Sequence, residues 1–185
     1  MADFNPHSVP PQNIEVEELI LGGILLNQDA LGRIVDILNP EAFYVKFHKD
    51  IYEAALKLYR QGKPNDFTTV TAWLQDHHLL EDVGGGEQIA RLVARTVSAV
   101  NIDRHAELVM EKYLRRQLIA AGHEIVDLGY DTTVELETVL DESEKKVFNL
   151  TQKRPQEGLV LMADTLIDTF GELEKLHDKT IESGI

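Results

Sequence analysis

Apolar residues recur every three or four positions along most of the chain, which is the spacing of amphipathic helices and not of strands. The first predicted helix runs from Glu15 to Leu26. Gly22 and Gly23 lie inside it, and because they lack a Cβ we expect them to let another helix approach closely. Asp29 is the predicted N-cap of a second helix, which ends near Leu38.

Three further helices are predicted before residue 98. The third begins at Phe43 and ends at Gly62, and Asp66 is a suitable N-cap for the fourth. The run Gly84-Gly85-Gly86 separates the fourth helix from a short fifth one. Together these five helices predict a globular bundle over residues 14–98, preceded by a proline-rich, disordered lead-in over residues 1–13.

The second half of the chain has a different pattern. From Ala99 to Leu128 there is no proline and Gly122 is the only glycine, so one helix of about 30 residues is predicted. Gly129 as a C′ residue, and Thr132 with Glu135 as a capping box, predict a turn after it. The two helices on either side of the turn form a predicted antiparallel hairpin over residues 99–152. Its second helix carries a heptad stripe of Thr133, Leu136, Leu140, Ser143, Val147 and Leu150.

The last predicted unit is a linker with an amphipathic helix over residues 153–185. No strand is predicted, so the fold class is all-α: a compact helical bundle, an antiparallel helical hairpin and a separate linker helix. Little chain is left to cover the apolar stripes of the hairpin and the linker helix, which favours contact with other proteins. The alternative is that both stripes fold back on the bundle.

Charge limits the classes of partner. The chain has 32 acidic and 18 basic residues and a formal net charge of −14, so an independent DNA-binding domain is not expected. This charge serves solubility, or it repels nucleic acid or meets a basic partner. No apolar run is long enough to span a bilayer, and the N-terminus lacks a signal-peptide pattern, so no membrane partner is expected. The absence of cysteine fits a reducing cytosol.

No segment has the pattern of a catalytic, cofactor or metal site. A phosphate-binding P-loop requires Gly-Lys followed by Ser or Thr, whereas Gly62-Lys63 is followed by Pro64. None of the seven histidines has the spacing of metal ligands, and His48 is interpreted as a packed or hydrogen-bonded residue. We therefore expect no catalytic residue, no metal and no cofactor in this chain.

A series of short motifs is spaced along residues 10–152. The motifs are Pro10-Pro11-x-x-Ile14-Glu15-x-Glu17, Leu21-Gly22-Gly23-Ile24-Leu25-Leu26-Asn27, Phe43-Tyr44, His48-x-x-Ile51-Tyr52-Glu53-Ala54, Gly62-x-Pro64-x-Asp66-x-x-Thr69-Val70, Val83-Gly84-Gly85, Ser98-Ala99-x-Asn101-Ile102, Ala106-x-x-Val109-x-Glu111-Lys112 and Arg115-Arg116-x-Leu118-Ile119. In order and spacing they resemble the N-terminal part of the DnaB-type replicative DNA helicases. Two positions depart from that family, which often has Pro at Val97 and an apolar residue at Asn65.

The resemblance implies the N-terminal collar and the linker helix of a hexameric helicase that unwinds DNA at the replication fork. The motor domain, with its P-loop, ATP and Mg, is expected to follow the linker and to be absent from this chain. The implied partners are further copies of the chain, from dimer to hexamer, a DnaG-type primase and a helicase loader. DNA is expected to contact the motor domain alone. The implied location is the cytoplasm, in a bacterial nucleoid or a plastid stroma.

Three groups of interface residues follow from the apolar stripes and the resemblance. The subunit interface on the hairpin is predicted at Val109, Tyr113, Leu136, Leu140, Val147 and Leu150. The primase-facing group is predicted at Lys112, Arg116 and Ile119, and the linker helix is expected to dock through Met162, Leu166, Leu173 and Leu176. Two alternatives stay open: a stand-alone helical adaptor without a motor domain, and an enzyme whose scattered carboxylates form a site.

Overall fold

The computed structural model describes residues 9–152, so the linker predicted over residues 153–185 lies outside the described part of the chain. The described residues form seven α-helices and one short 3-10 helix, and they contain no strand, which confirms the all-α prediction. The α-helices are α1 (Ile14–Leu26), α2 (Gln28–Ile34), α3 (Lys46–Arg60), α4 (Phe67–Asp76), α5 (Gly85–Arg95), α6 (Ile102–Tyr130) and α7 (Leu136–Gln152), and the 3-10 helix is Pro40–Ala42.

Helix α1 lies at the centre of the bundle and packs against α2, α3, α4, α5 and α6. Its middle is apolar on every side, because the six consecutive residues from Ile20 to Leu25 are all buried. Tyr52 of α3 is completely buried in the same core, and its hydroxyl donates a hydrogen bond of 2.9 Å to the carbonyl of Leu38. The core therefore surrounds one central helix.

The two glycines of α1 give close approach to other segments, as the sequence predicted. A Cβ on Gly22 would overlap the hydroxyl of Thr96 and the backbone carbonyl of Leu92 at the end of α5. A Cβ on Gly23 would lie 3.3 Å from the side chain of Ile102 at the start of α6. The cost of about 1 kcal/mol for a glycine inside a helix is thus offset by packing that a larger residue would prevent.

Two helix starts in the bundle test the predicted caps. The carboxylate of Asp66 accepts a hydrogen bond of 2.8 Å from the backbone N–H of Thr69, which confirms it as the cap of α4. The predicted cap at Asp29 is wrong, because the side chain of Asn27 accepts from the N–H of Asp29 and α2 starts at Gln28. Helix α2 also ends at Ile34, earlier than predicted.

Asn65 is a buried polar residue with a defined partner. Its side chain is 2% exposed, and its Nδ2 donates a hydrogen bond of 2.7 Å to the carbonyl of Ile24 in the last turn of α1. The last carbonyls of a helix lack partners within the helix. Asn65 therefore satisfies one of them, which accounts for a polar side chain in an apolar position.

The hairpin turn differs from its prediction. Helix α6 continues through Tyr130, so Gly129 lies inside its last turn and is not a C′ glycine. The carboxylate of Asp131 accepts from the backbone N–H of Thr133, and this bond forms the turn where a capping box at Thr132 was predicted. Hydrogen bonds from both the side chain and the backbone of Thr133 lower the pKa of Asp131. The predicted position of the turn is correct, but its chemistry was assigned to the wrong residues.

Candidate interaction surface on the helical hairpin

Helices α6 and α7 pack against each other in antiparallel orientation beyond the bundle. The Nζ of Lys146 on α7 lies 2.6 Å from Oε2 of Glu124 on α6, and this hydrogen bond raises the pKa of Lys146. Ala121 is buried, but it is not part of the core cluster of the bundle. The outer half of α6 is thus covered by its hairpin partner and not by the bundle.

One exposed side of α7 is apolar. Leu136, Leu140 and Val147 of α7 are 72%, 60% and 45% exposed, and their spacing of four and seven residues puts them on one side of the helix. Leu150, which was predicted with them, is half-buried. We call Leu136, Leu140 and Val147 the hairpin face. Within the described part of the chain, no residue of α7 is buried.

Two glycines of α6 lie beside this face. The pair of Glu124 and Lys146 shows which parts of the two antiparallel helices lie side by side. Along the helix axes, Gly122 is therefore at about the height of Val147, and Gly129 at about the height of Leu140. A Cβ on either glycine would meet nothing within 4 Å among residues 9–152. The surface next to the hairpin face is therefore open at two points along α6.

Val109 and Tyr113 are not on this surface, although they were predicted to belong to it. Val109 is 2% exposed and lies in the core of the bundle together with Ile102, Ala106 and Met110. Tyr113 is half-buried and packs against that core. The physical reason is that the first half of α6 is a bundle helix, so its apolar stripe is already covered within the chain.

The predicted primase-facing residues do not form one basic patch. Ile119 is 47% exposed, whereas Lys112 and Arg116 are half-buried. The guanidinium of Arg116 points to the bundle, where it donates hydrogen bonds to the carbonyls of Pro11 and Ala42. Of the three residues, Ile119 is the one with a clearly exposed side chain.

Other exposed apolar residues of the hairpin were missed by the sequence reasoning. Val126 and Tyr130 on α6 and Phe148 on α7 are all more than half exposed. Leu118 on α6 is also exposed, at 59%. The width of the apolar stripe on the hairpin could have indicated these exposed residues. One antiparallel partner helix covers only a narrow stripe, so the apolar residues outside it stay exposed.

The described residues contain no cluster of three or more His, Asp or Glu side chains able to hold a metal ion. His48 pairs with Glu17 in the core, and the ring of His77 stacks on Trp73 with 3.7 Å between centroids. No described helix is long and apolar enough to cross a membrane. The linker residues Met162, Leu166, Leu173 and Leu176 lie outside the described residues.

Comparison with known proteins decides the family. The model of the DnaB-like helicase N terminal domain matches residues 9–111, which is more than half of the chain. The chain belongs to this family. A replicative DNA helicase DnaB from a Synechocystis species is 61% identical over 181 residues, which cover 98% of this chain and 21% of the relative. The chain therefore spans about a fifth of the length of the first curated relatives that it matches.

Two solved structures share the fold of this DnaB-like domain. The N-terminal domain of DnaB helicase from Mycobacterium tuberculosis has a TM-score of 0.73 at 34% identity, and the match covers 76% of this chain and 99% of that one. A DnaB-like replicative helicase, described with its interactions with primase, has a TM-score of 0.64 at 24% identity. That match covers 83% of this chain and 34% of the helicase, and it supports the fold alone.

Proposed function

We propose that this chain is an assembly module of a replicative DNA helicase, in which the hairpin face joins subunits and the domain presents a docking platform for primase. The observation that carries the proposal is α7, a helix of 17 residues without one buried residue in the described chain. A helix with apolar residues at heptad spacing is stable in water when another surface covers its stripe. Residues 9–152 supply no such cover for Leu136, Leu140 and Val147.

The occupant that we propose for the hairpin face is the same face of a second copy. Antiparallel hairpins with apolar residues at matching intervals are self-complementary about a two-fold axis. Gly122 and Gly129 leave room beside the face for the backbone or side chains of another helix. Family membership supports the same arrangement, because the chain resembles the part of the helicase that brings its subunits together.

The experiment is a concentration series of the chain by sedimentation equilibrium. We expect reversible self-association for the wild type, and a monomer for the double variant Leu140→Asp, Val147→Asp. The matched control is Thr138→Asp, Asn149→Asp, which adds the same charge to the opposite, exposed side of α7. A wild-type monomer at high concentration, or equal association of the two double variants, would rule out the hairpin face as the interface.

Primase docking is the second part of the proposal. It is supported by family membership, and one solved structure of the same fold is described with its interactions with primase. Ile119 is the best candidate contact, because it is the one of the three predicted residues whose side chain is clearly exposed. Titration calorimetry with a DnaG-type primase should show weaker binding to Ile119→Asp than to the wild type. The matched control is Thr68→Asp on the exposed side of α4, and wild-type affinity in Ile119→Asp would exclude this contact.

The remaining activities belong to the proposed whole protein. ATP and Mg would act in a motor domain with a P-loop, DNA would bind to that domain, and a helicase loader would act on the assembled ring in the cytoplasm. The linker residues Met162, Leu166, Leu173 and Leu176 would dock on a neighbouring motor. Sequencing the reading frame downstream of codon 185 separates this proposal from a stand-alone adaptor, since the proposal requires a P-loop there.

A further inference from the structure

Arg116 lies at the point where α6 passes from the bundle to the hairpin. Before it, Ile102, Ala106, Val109 and Met110 are in the bundle core. After it, Glu124 bonds to Lys146 of α7. The contacts of Arg116 are therefore placed where they affect the direction in which the hairpin leaves the bundle.

The guanidinium of Arg116 joins α6 to two separate segments of the chain. Its Nη1 donates a hydrogen bond of 2.8 Å to the carbonyl of Pro11, in the lead-in before α1. Its Nη2 donates one of 2.6 Å to the carbonyl of Ala42, in the 3-10 helix. These partners lie 105 and 74 residues away in sequence, so the bonds tie α6 to both ends of the segment that contains α1 and α2.

Two aromatic rings hold the guanidinium in place. Its carbon lies 5.5 Å from the ring centroid of Tyr44 and 5.7 Å from that of Tyr113, within the range of cation–π attraction. Burial lowers the pKa of Arg116, and the nearby charge of Glu17 acts in the opposite direction. A planar fork that bonds two carbonyls between two rings has one preferred orientation, which a flexible ammonium group does not reproduce.

Neighbouring arginines on α6 behave differently. Arg115 bonds to Glu111 and Arg104 bonds to Glu107, each within the same helix and exposed to solvent. Such pairs contribute little to stability and join no separate segments. Arg116 instead bonds to uncharged carbonyls on other segments, although the chain carries 32 acidic residues. Its hydrogen bonds therefore join separate segments and do not pair it with a carboxylate.

We propose that Arg116 is a positioning residue that fixes the direction of the hairpin relative to the bundle, and thereby sets how two hairpin faces meet. The inference rests on the proposed self-association. Without the two carbonyl bonds, the bundle core keeps α6 in place as far as Leu114, but the hairpin can move beyond that point. A mobile hairpin must be ordered when it associates, which weakens binding even when its apolar face is unchanged.

The test uses Arg116→Ala and Arg116→Lys in the full chain, with Arg115→Ala as the matched control. The control removes the same charge one position away and breaks only an exposed ion pair with Glu111. The chain has no cysteine, so spin labels can be attached at Thr68→Cys on α4 and Glu137→Cys on α7, both at exposed positions. Dilution with unlabelled chain restricts the distance measurement to one subunit.

We expect a narrow distance distribution for the wild type and Arg115→Ala, and a broad one for both Arg116 variants. Self-association should weaken about tenfold in both Arg116 variants and stay at the wild-type level in the control. Narrow distributions, or wild-type association, in a folded Arg116→Lys would overturn the inference. If Arg116→Ala does not fold, Arg116→Lys alone decides. If the wild type does not associate, the proposed function fails, while the distance distributions still test the role of Arg116.

Discussion

The Nδ1 of His48 donates a hydrogen bond of 2.8 Å to Oε2 of Glu17, and both side chains are at most 1% exposed. The Glu17 carboxylate also accepts from the backbone N–H of Tyr44 at 2.7 Å and of Val45 at 3.4 Å. One buried carboxylate of α1 thus organises the start of α3. Its three donors compensate for the removal of its charge from water.

Replacing Glu17 with glutamine should destabilise the bundle by about 2–4 kcal/mol, because the amide NH₂ faces donors and leaves buried N–H groups without an acceptor. The measurement is the free energy of unfolding from urea titration. The control Glu15→Gln changes an exposed carboxylate in the same first turn and should cost at most about 1 kcal/mol. Equal losses in the two variants would show that the buried bonds contribute little.

Tyr52 should make the fold sensitive to alkaline pH. Burial raises the pKa of its phenol above the ordinary value of 10.0, so above about pH 10 the unfolded chain loses this proton while the folded chain keeps it. Stability therefore falls as the pH rises. Tyr52→Phe should be about 1 kcal/mol less stable at neutral pH, since it loses the bond to Leu38, but its stability should fall less steeply above pH 10.

Urea unfolding at neutral pH and at about pH 10.5 checks this prediction. Tyr130→Phe is the control, because it removes a hydroxyl from a side chain that is 81% exposed. Parallel alkaline losses in wild type and Tyr52→Phe would contradict the assignment.

Alanine at two glycines should have opposite effects. Gly22→Ala places a Cβ against the backbone of Leu92 and should cost about 3 kcal/mol or more, since a backbone carbonyl cannot move aside without repacking α5. Gly122→Ala meets open space inside α6 and should stabilise the monomer by about 1 kcal/mol. Thermal unfolding at low protein concentration gives both values. A harmless Gly22→Ala would mean that α1 and α5 are further apart than described.

The cap of α4 should be worth about 1 kcal/mol. Asp66→Ala removes the acceptor for the N–H of Thr69, whereas Asp66→Asn keeps an oxygen in the same place. Urea unfolding should therefore show a loss in the alanine variant and nearly wild-type stability in the asparagine variant. If both variants lose the same free energy, the charge of Asp66 and not its hydrogen bond is what stabilises the helix start.

Local patterns were enough to predict most helices, because capping and chain reversal depend on a few adjacent residues. Asp66 and the run Gly84-Gly85-Gly86 are examples: Gly84 and Gly85 adopt φ of 87° and 73°, which few other residues reach. The error at Asp29 arose because two residues two positions apart are both of a type that can cap a helix. Asn27 and Asp29 differ by one hydrogen bond that the sequence alone does not reveal.

The proposed interface was predictable only in part, because an apolar stripe with helical spacing looks the same whether the chain or a partner covers it. Val109 and Leu140 both belong to such stripes, yet one is in the core and the other is 60% exposed. The role of Arg116 could not be predicted from the sequence for another reason. Its partners Pro11 and Ala42 are distant in sequence, and carbonyl groups occur at every residue, so no side-chain pattern indicates them.

Helix α6 contributes to the bundle core with its first half and to the hairpin with its second half. One inserted residue between Met110 and Leu118 would rotate the hairpin face by about 100° about the helix axis, and four would rotate it by about 40°. Seven inserted residues would leave a rotation of about 20° and move the face outward by about 10 Å. The spacing between bundle and hairpin can therefore change during evolution in steps of nearly whole heptads, whereas shorter insertions would turn the face away from its partner.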